Sequence, residues 1–322
     1  MSPTPAELQT LVKEAYAALD DGDLDKAVEL AEQLLDQRHT RGFEILSMAL
    51  ERQGDLDEAL DVVNAGINAV PDAFPLWELL GNIYSKKRMF DEAQQAYQRA
   101  LECPNADQES VKYNFAVMWR NAGHLDRALA LATQVTSPAM SIRAKTLRTS
   151  LLNGMGLYEE CANLSNAIVG EVMALDEMSD DDMKELAQTY AELGRALWLG
   201  RGDKQGAFEN AWKALEWERA DPSALWLIRE LIARKSPESH WFRMELQGLW
   251  YFPLEQNKEA PHFTVSYDVV ADNEEEALMF TKHLEPPEIR DSMVVANCED
   301  RGDYPNHMQG IYWRSNYNFI MT

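Results

Sequence analysis

The chain has 322 residues, 46% of them hydrophobic, and a formal net charge of −24. That hydrophobic share excludes wholesale disorder, no apolar run approaches the ~20 residues of a membrane-spanning helix, and the length suits two domains or a long repeat array. The acidity repels phosphate backbones and anionic lipid, and no run of Lys and Arg opposes it, so neither nucleic acid nor a membrane surface is expected as a partner.

The first residues, MSPTPAELQTLVKEAYAALDDGD, carry neither the basic nor the apolar region of a secretory signal, and a cytoplasmic protein is expected. From there to about residue 235, amphipathic helical stretches alternate with short turns. The turns read GDLDKA, GDLDEA, RMFDEA, GHLDRA, GLYEEC and GDKQGA, ending at Ala27, Ala59, Ala93, Ala128, Cys161 and Ala207. The steps between those residues are 32, 34, 35, 33 and 46, a period near 34 that predicts stacked units of helix, turn and helix. Glycine opens most turns because a helix ends readily in a left-handed residue, and the following Asp-x-x-Ala starts the second helix. In the longest step, about a dozen extra residues fall near 170–183, and Ser179 followed by three acids reads as the cap of a new helix.

The third unit, LWELLGNIYSKKRMFDEAQQAYQRALECP, is the most regular. Trp77, Leu80, Gly81, Tyr84, Phe90, Ala93, Tyr97 and Ala100 fall where the tetratricopeptide repeat family has its signature residues, with Pro104 one place early. The chain resembles that family over residues ~8–235. The resemblance implies about six hairpins in a right-handed α-solenoid, with Gly81 and Ala93 small where two helices touch. Two units depart from the pattern: Thr149 and Cys161 occupy the close-contact positions of the fifth, and Arg195 replaces the small residue of the sixth, so looser packing or an unusual turning angle is expected there.

In that family the first helix of each hairpin lines a groove that holds a partner peptide. Carried onto this sequence, the groove positions include Asn82, Lys86, Tyr113, Asn114, Arg120, Asn121, Arg143 and Asn153, with Arg41, Glu44 and Arg52 from the second unit. Asparagine offers donors and an acceptor to an extended backbone, and arginine offers a fork to carboxylates. A subclass of the family clamps a C-terminal carboxylate. Asn82 and Asn114 match its pattern and Arg143 replaces a lysine, but Glu78 and Leu147 stand where two cations belong. A solvated helix face is the plain alternative for each of these residues taken singly.

After residue 235 the pattern changes. Residues 241–251 and 262–271 read as strands, 273–285 as a short helix capped by Asn273, and SMVVANCED and QGIYWRSNYNFIM as two more strands. The order β-β-α-β-β predicts a small α+β domain over 236–322 beside a helical repeat domain over 1–235. Trp241, Trp250, Tyr251, Tyr312, Trp313 and Tyr317 suit either the faces of a sheet or a ligand cup, and the RGD triplet at 301–303 reads as a turn. Three scattered cysteines and His262, His283 and His307 show no metal-ligand spacing, and no nucleophile elbow or phosphate loop is present. No catalytic residue, metal or cofactor is therefore assigned. The leading expectation is a non-enzymatic interaction scaffold or adaptor that binds a protein or peptide in the groove. A sensor or divergent enzyme built on the terminal domain, and an assembly or secretion chaperone, are the alternatives. Self-association is open, but no patch demands it.

Overall fold

Six turns set the helical part of the chain, and each contains a residue in the left-handed region. Five are glycines, with φ between 68° and 95° at Gly22, Gly54, Gly123, Gly156 and Gly202. The sixth is Arg88 at φ 60°, where a Cβ meets the strain that glycine avoids. In the computed structural model, which describes residues 4–250 and 261–320, these turns join helices into antiparallel pairs. The helices are α1 (Pro5–Asp20), α2 (Leu24–Asp36), α3 (Arg41–Gln53), α4 (Leu56–Ala69), α5 (Phe74–Lys86), α6 (Phe90–Glu102), α7 (Gln108–Asn121) and α8 (Leu125–Ala132). They continue through α9 (Pro138–Gly154), α10 (Tyr158–Val172), α11 (Asp180–Arg201), α12 (Lys204–Trp217) and α13 (Pro222–Ile232).

The chain forms two compact units, residues 1–151 and 152–322. In the first, α1, α3, α5 and α7 lie side by side and each packs on its hairpin partner. Ala27, Ala59, Ala93 and Ala128, the small residues that set the period, are fully buried. At Gly81 the tight neighbour is Tyr97: an added Cβ would stand 2.9 Å from its ring. Tyr97 in turn stacks on Phe115 with ring centroids 5.2 Å apart, so each hairpin passes its packing to the next. Trp77 closes the joint with the preceding unit by donating its indole N–H to the Pro71 carbonyl at 2.7 Å.

The second unit begins at the end of α9. The residues inserted before α11 leave a short connection and extend the helices: α11 runs 22 residues, opened by a capping box between Ser179 and Asp182. Close packing in the sixth hairpin is achieved one residue before the expected position. An added Cβ on Gly194 would lie 2.8 Å from the Ala207 carbonyl, while Arg195 stays half-buried. The expectation of a loose sixth hairpin is thus corrected. Cys161 and Thr149 are likewise fully buried.

Beyond α13 come β1 (His240–Leu249), β2 (His262–Ala271), α14 (Glu274–Leu284), α15 (Pro287–Arg290), β3 (Val294–Asp303), β4 (Gly310–Arg314) and β5 (Asn318–Ile320). The sheet is antiparallel in the order β3-β1-β2-β4, with β5 also paired to β2. The last expected strand is therefore two, because the chain leaves the ladder between Arg314 and Asn318. The RGD residues end β3 and do not form a turn; the register shift opposite His240 and Phe242 and the φ of 102° at Gly302 mark a bulge there. Tyr251, placed in the first expected strand, lies outside the described residues. One face of the sheet, carrying Met244, Leu246, Phe263 and Val265, belongs to a single hydrophobic cluster with Ala191, Leu215 and Leu225 of α11–α13. The change from helix to strand near residue 235 is thus not a break in packing, and the compact units divide earlier, at 151.

A buried ion pair joins β4 to the residue after α14. Arg314 Nε donates to Glu285 Oε1 at 2.7 Å, both side chains almost fully enclosed, and Tyr267 and Tyr317 donate their hydroxyls to the same carboxylate. Burial pushes the Glu285 carboxyl up, but the hydrogen bonds and charge of Arg314, with the two tyrosines, hold it below its ordinary 4.5. A carboxylate with a depressed folded pKa contributes stability at neutral pH that disappears as pH falls below the ordinary value.

Replacing Arg88 by glycine is expected to raise the unfolding free energy by about 1 kcal/mol, read from urea denaturation. Arg314→Met is expected to lower it by about 3–5 kcal/mol at pH 7, because it strands a buried carboxylate. That loss should shrink as pH is lowered through 4.5, where Glu285 is neutralised in the unfolded chain first.

Candidate functional site

The side-by-side helices α1, α3, α5 and α7 present a ladder of polar side chains. Tyr16 donates its hydroxyl to Glu44 at 2.8 Å, bridging α1 and α3. Lys86 of α5 lies 2.9 Å from Glu51 of α3. Glu78 of α5 accepts from Asn114 Nδ2 at 2.6 Å and Ser110 Oγ at 2.9 Å, both on α7. Burial raises the Glu78 pKa, and the two donors from α7 hold part of that rise back. Asn82 accepts from the Tyr97 hydroxyl at 2.6 Å within its own hairpin.

These contacts sort the residues expected in the groove. Asn82, Lys86 and Asn114 are partly committed to their neighbours, yet Asn82 keeps its amide donors and Asn114 its carbonyl acceptor. Tyr113, Arg120 and Arg143 are half-buried and Asn121 is exposed. Among the described residues, the side chains of Arg120 and Asn121 have no hydrogen bond or ion pair. In the second unit of the repeat, Arg41 pairs with Glu44 and Arg52 donates to the Leu19 carbonyl, so both cations serve the fold. The sequence could not foresee Ser110 as a partner of Glu78, because its role depends on how far α7 is offset along α5.

Asn153 is a correction. It belongs to the unit of residues 152–322 and is 3% exposed, donating through Nδ2 to the backbone carbonyl of Glu192 at 2.8 Å and to its carboxylate at 2.6 Å. It positions α11 and is closed to any ligand from solvent. Near Glu192, the buried Asp221 caps α13 by accepting from the Ala224 N–H at 2.7 Å. Burial, helped by the charges of Glu192 and Glu218, pushes the Asp221 carboxyl up to about 6 against the pull of its backbone donors.

In the sheet, the aromatics expected as a cup divide into separate groups. Trp250 meets Phe263, Tyr317 and Phe319, whereas Trp241 meets Tyr304 and Tyr312. Trp313 lies under the Arg243 guanidinium. Among the described residues no three His, Cys, Asp or Glu side chains are placed to hold a metal ion, and no helix is long and apolar enough to cross a membrane.

Asp221→Asn keeps the cap and removes the buried charge. A folded pKa raised from 3.8 to about 6 means that wild-type stability falls as pH rises between those values and stays low above them. The variant is expected to be more stable by on the order of 2 kcal/mol at pH 7.5, with the gain fading toward pH 4, as read from thermal melts across that range.

The tetratricopeptide repeat family model matches residues 74–103, the α5–α6 hairpin. No curated protein matches the chain. Among solved structures, the Cut9–Hcn1 hetero-tetramer of the APC/C aligns over 68% of this chain and 41% of its own, with 14% identity and a TM-score of 0.54, a likeness of fold. A tetratricopeptide repeat protein from Parabacteroides merdae ATCC 43184 covers 70% of this chain and 98% of its own, at 17% identity and a TM-score of 0.43. YrrB, described as a TPR protein with an unusual peptide-binding site, covers 63% and 100% at 17% identity and a TM-score of 0.41. Residues 74–103 match the tetratricopeptide repeat, and the chain that carries them has a helical repeat fold like that of the Cut9–Hcn1 structure.

Proposed function

We propose that the protein is a cytoplasmic scaffold or adaptor that holds an extended segment of a partner protein against the face built from α5 and α7, with Arg143 of α9 extending that face. The observation that supports this reading is unspent hydrogen-bonding capacity on neighbouring helices. Asn82 retains donors, Asn114 retains an acceptor, and Arg120 and Asn121 are wholly uncommitted. An extended backbone presents alternating carbonyls and N–H groups, which is the complement of that set. Helices already locked by Glu78–Asn114, Glu51–Lys86 and Tyr97–Phe115 lose little entropy when a segment docks. Lys86 and Tyr113 flank the face, and Asn153, being buried, is left out of it. Glu78 would repel a carboxylate placed beside Asn114, which favours an internal segment over a free C-terminus.

The test is affinity capture from the native lysate with the full chain as bait, quantified by mass spectrometry, against the double variant Arg120→Gln and Asn121→Ala. Neither side chain bonds within the protein, so stability is expected to stay within about 0.5 kcal/mol of wild type. Recovery of the principal partner is expected to fall roughly tenfold, the effect of losing one or two hydrogen bonds. Equal recovery by both baits rejects this face as the docking site.

A further inference from the structure

The unit of residues 152–322 holds a cleft of about 400 Å³, within the roughly 300–1,000 Å³ typical of small-molecule sites. Its walls come from α12, α13, α14 and β4, and include Phe208, Trp212, Ile228 and Phe280. Ile232 and Met279 also line it, and each is 52% exposed to solvent. Two polar residues among this apolar lining are left incomplete.

Gln309 is 1% exposed and donates through Nε2 to Asp272 Oδ1 at 2.6 Å and to Ser239 Oγ at 3.0 Å. A carboxylate oxygen accepts, so the amide cannot be turned the other way round. Its Oε1 is then a buried acceptor with no donor. Such a group is costly in a folded protein unless something supplies the missing hydrogen bond. Arg229 is the second. It donates to the Ile311 carbonyl, and its guanidinium lies 4.0 Å from the centroid of the Tyr312 ring and interacts with the Tyr312 hydroxyl. Arg234 on the same lining is paired with Glu276 and Asp272, but Arg229 forms no ion pair among the described residues. Burial opposes its charge, and a nearby anion would relieve that opposition. Arg229 packs on the chain neighbour of Gln309: an added Cβ on Gly310 would stand 3.1 Å from Arg229 Cγ.

We propose that this cleft binds a small amphipathic organic anion, with an apolar body between α12, α13 and α14, a carboxylate or sulfonate against Arg229, and an N–H or O–H group donated to Gln309 Oε1. The chain as a whole carries a charge of −24, so an anion gains nothing from the general surface and must be drawn by Arg229 itself.

The probe is 1-anilinonaphthalene-8-sulfonate, which carries an aromatic body, an N–H and a sulfonate; N-phenyl-1-naphthylamine is the same body without the charge. Titrated into the full chain and followed by fluorescence, the sulfonate is expected to saturate at one site with at least tenfold higher affinity than the neutral dye, and decanoate should displace it. Met279→Trp, at an exposed position, is expected to weaken the sulfonate at least tenfold by filling the cleft, with an unchanged circular dichroism melt. Arg229→Met should bring the two dyes to equal affinity. Equal affinity of the two dyes for the wild type, or undiminished binding by Met279→Trp, overturns the proposal. So does displacement by an apolar decapeptide but not by decanoate, which would reassign the cleft to a protein partner.

Discussion

A helical hairpin has two apolar faces and can cover only one of them with its own partner helix, so a neighbour must cover the other. In this chain the requirement is met by a fixed combination at each turn: a left-handed residue that reverses the chain, then an alanine or cysteine with no exposed surface where the two helices touch. The aromatic side chains then carry the packing forward. Tyr97 fills the space that Gly81 leaves, stacks on Phe115 of the next hairpin, and Phe115 lies against Trp119. The polar rungs follow from the same arrangement, because they connect first helices that the hairpins have already set side by side.

In the second unit the same rule operates with different partners. Helices α11, α12 and α13 bury their apolar surface partly against one another and partly under the sheet, which supplies what a further hairpin would have supplied. The Glu285–Arg314 pair sits inside this arrangement with two tyrosine hydroxyls, a fully satisfied polar cluster that fixes β4 relative to α14.

What could be read from the sequence was what depends on local spacing. The period of about 34 marks the first five turns, including the one where Arg88 stands in for glycine, since the flanking apolar residues keep the register. Ser179, Asp221 and Asn273 each cap a helix, but only Ser179 and Asn273 stand before an acidic first turn that announces the cap. What could not be read depends on contacts between distant segments. Asn153 has the composition of a ligand-binding residue and is sealed by Glu192, 39 positions away. Gly194, and not Arg195, takes the close approach that the repeat pattern assigns one residue later, against the Ala207 carbonyl and Leu227. Arg314 and Glu285 give no sign in the sequence that each is the other's counter-ion.

Among the described residues, strand β3 stands at the rim of the sheet with only β1 beside it, and nearly all of its side chains are exposed. An open rim of unpaired backbone groups invites stray chains to add on and grow into insoluble ribbons. Glu299, Asp300, Arg301 and Asp303 crowd its last residues, and the bulge at Gly302 twists the backbone out of line for any incoming strand. The charged tail of β3 thus acts as a guard that lets a sheet with an unfinished side exist at high concentration without seeding fibres.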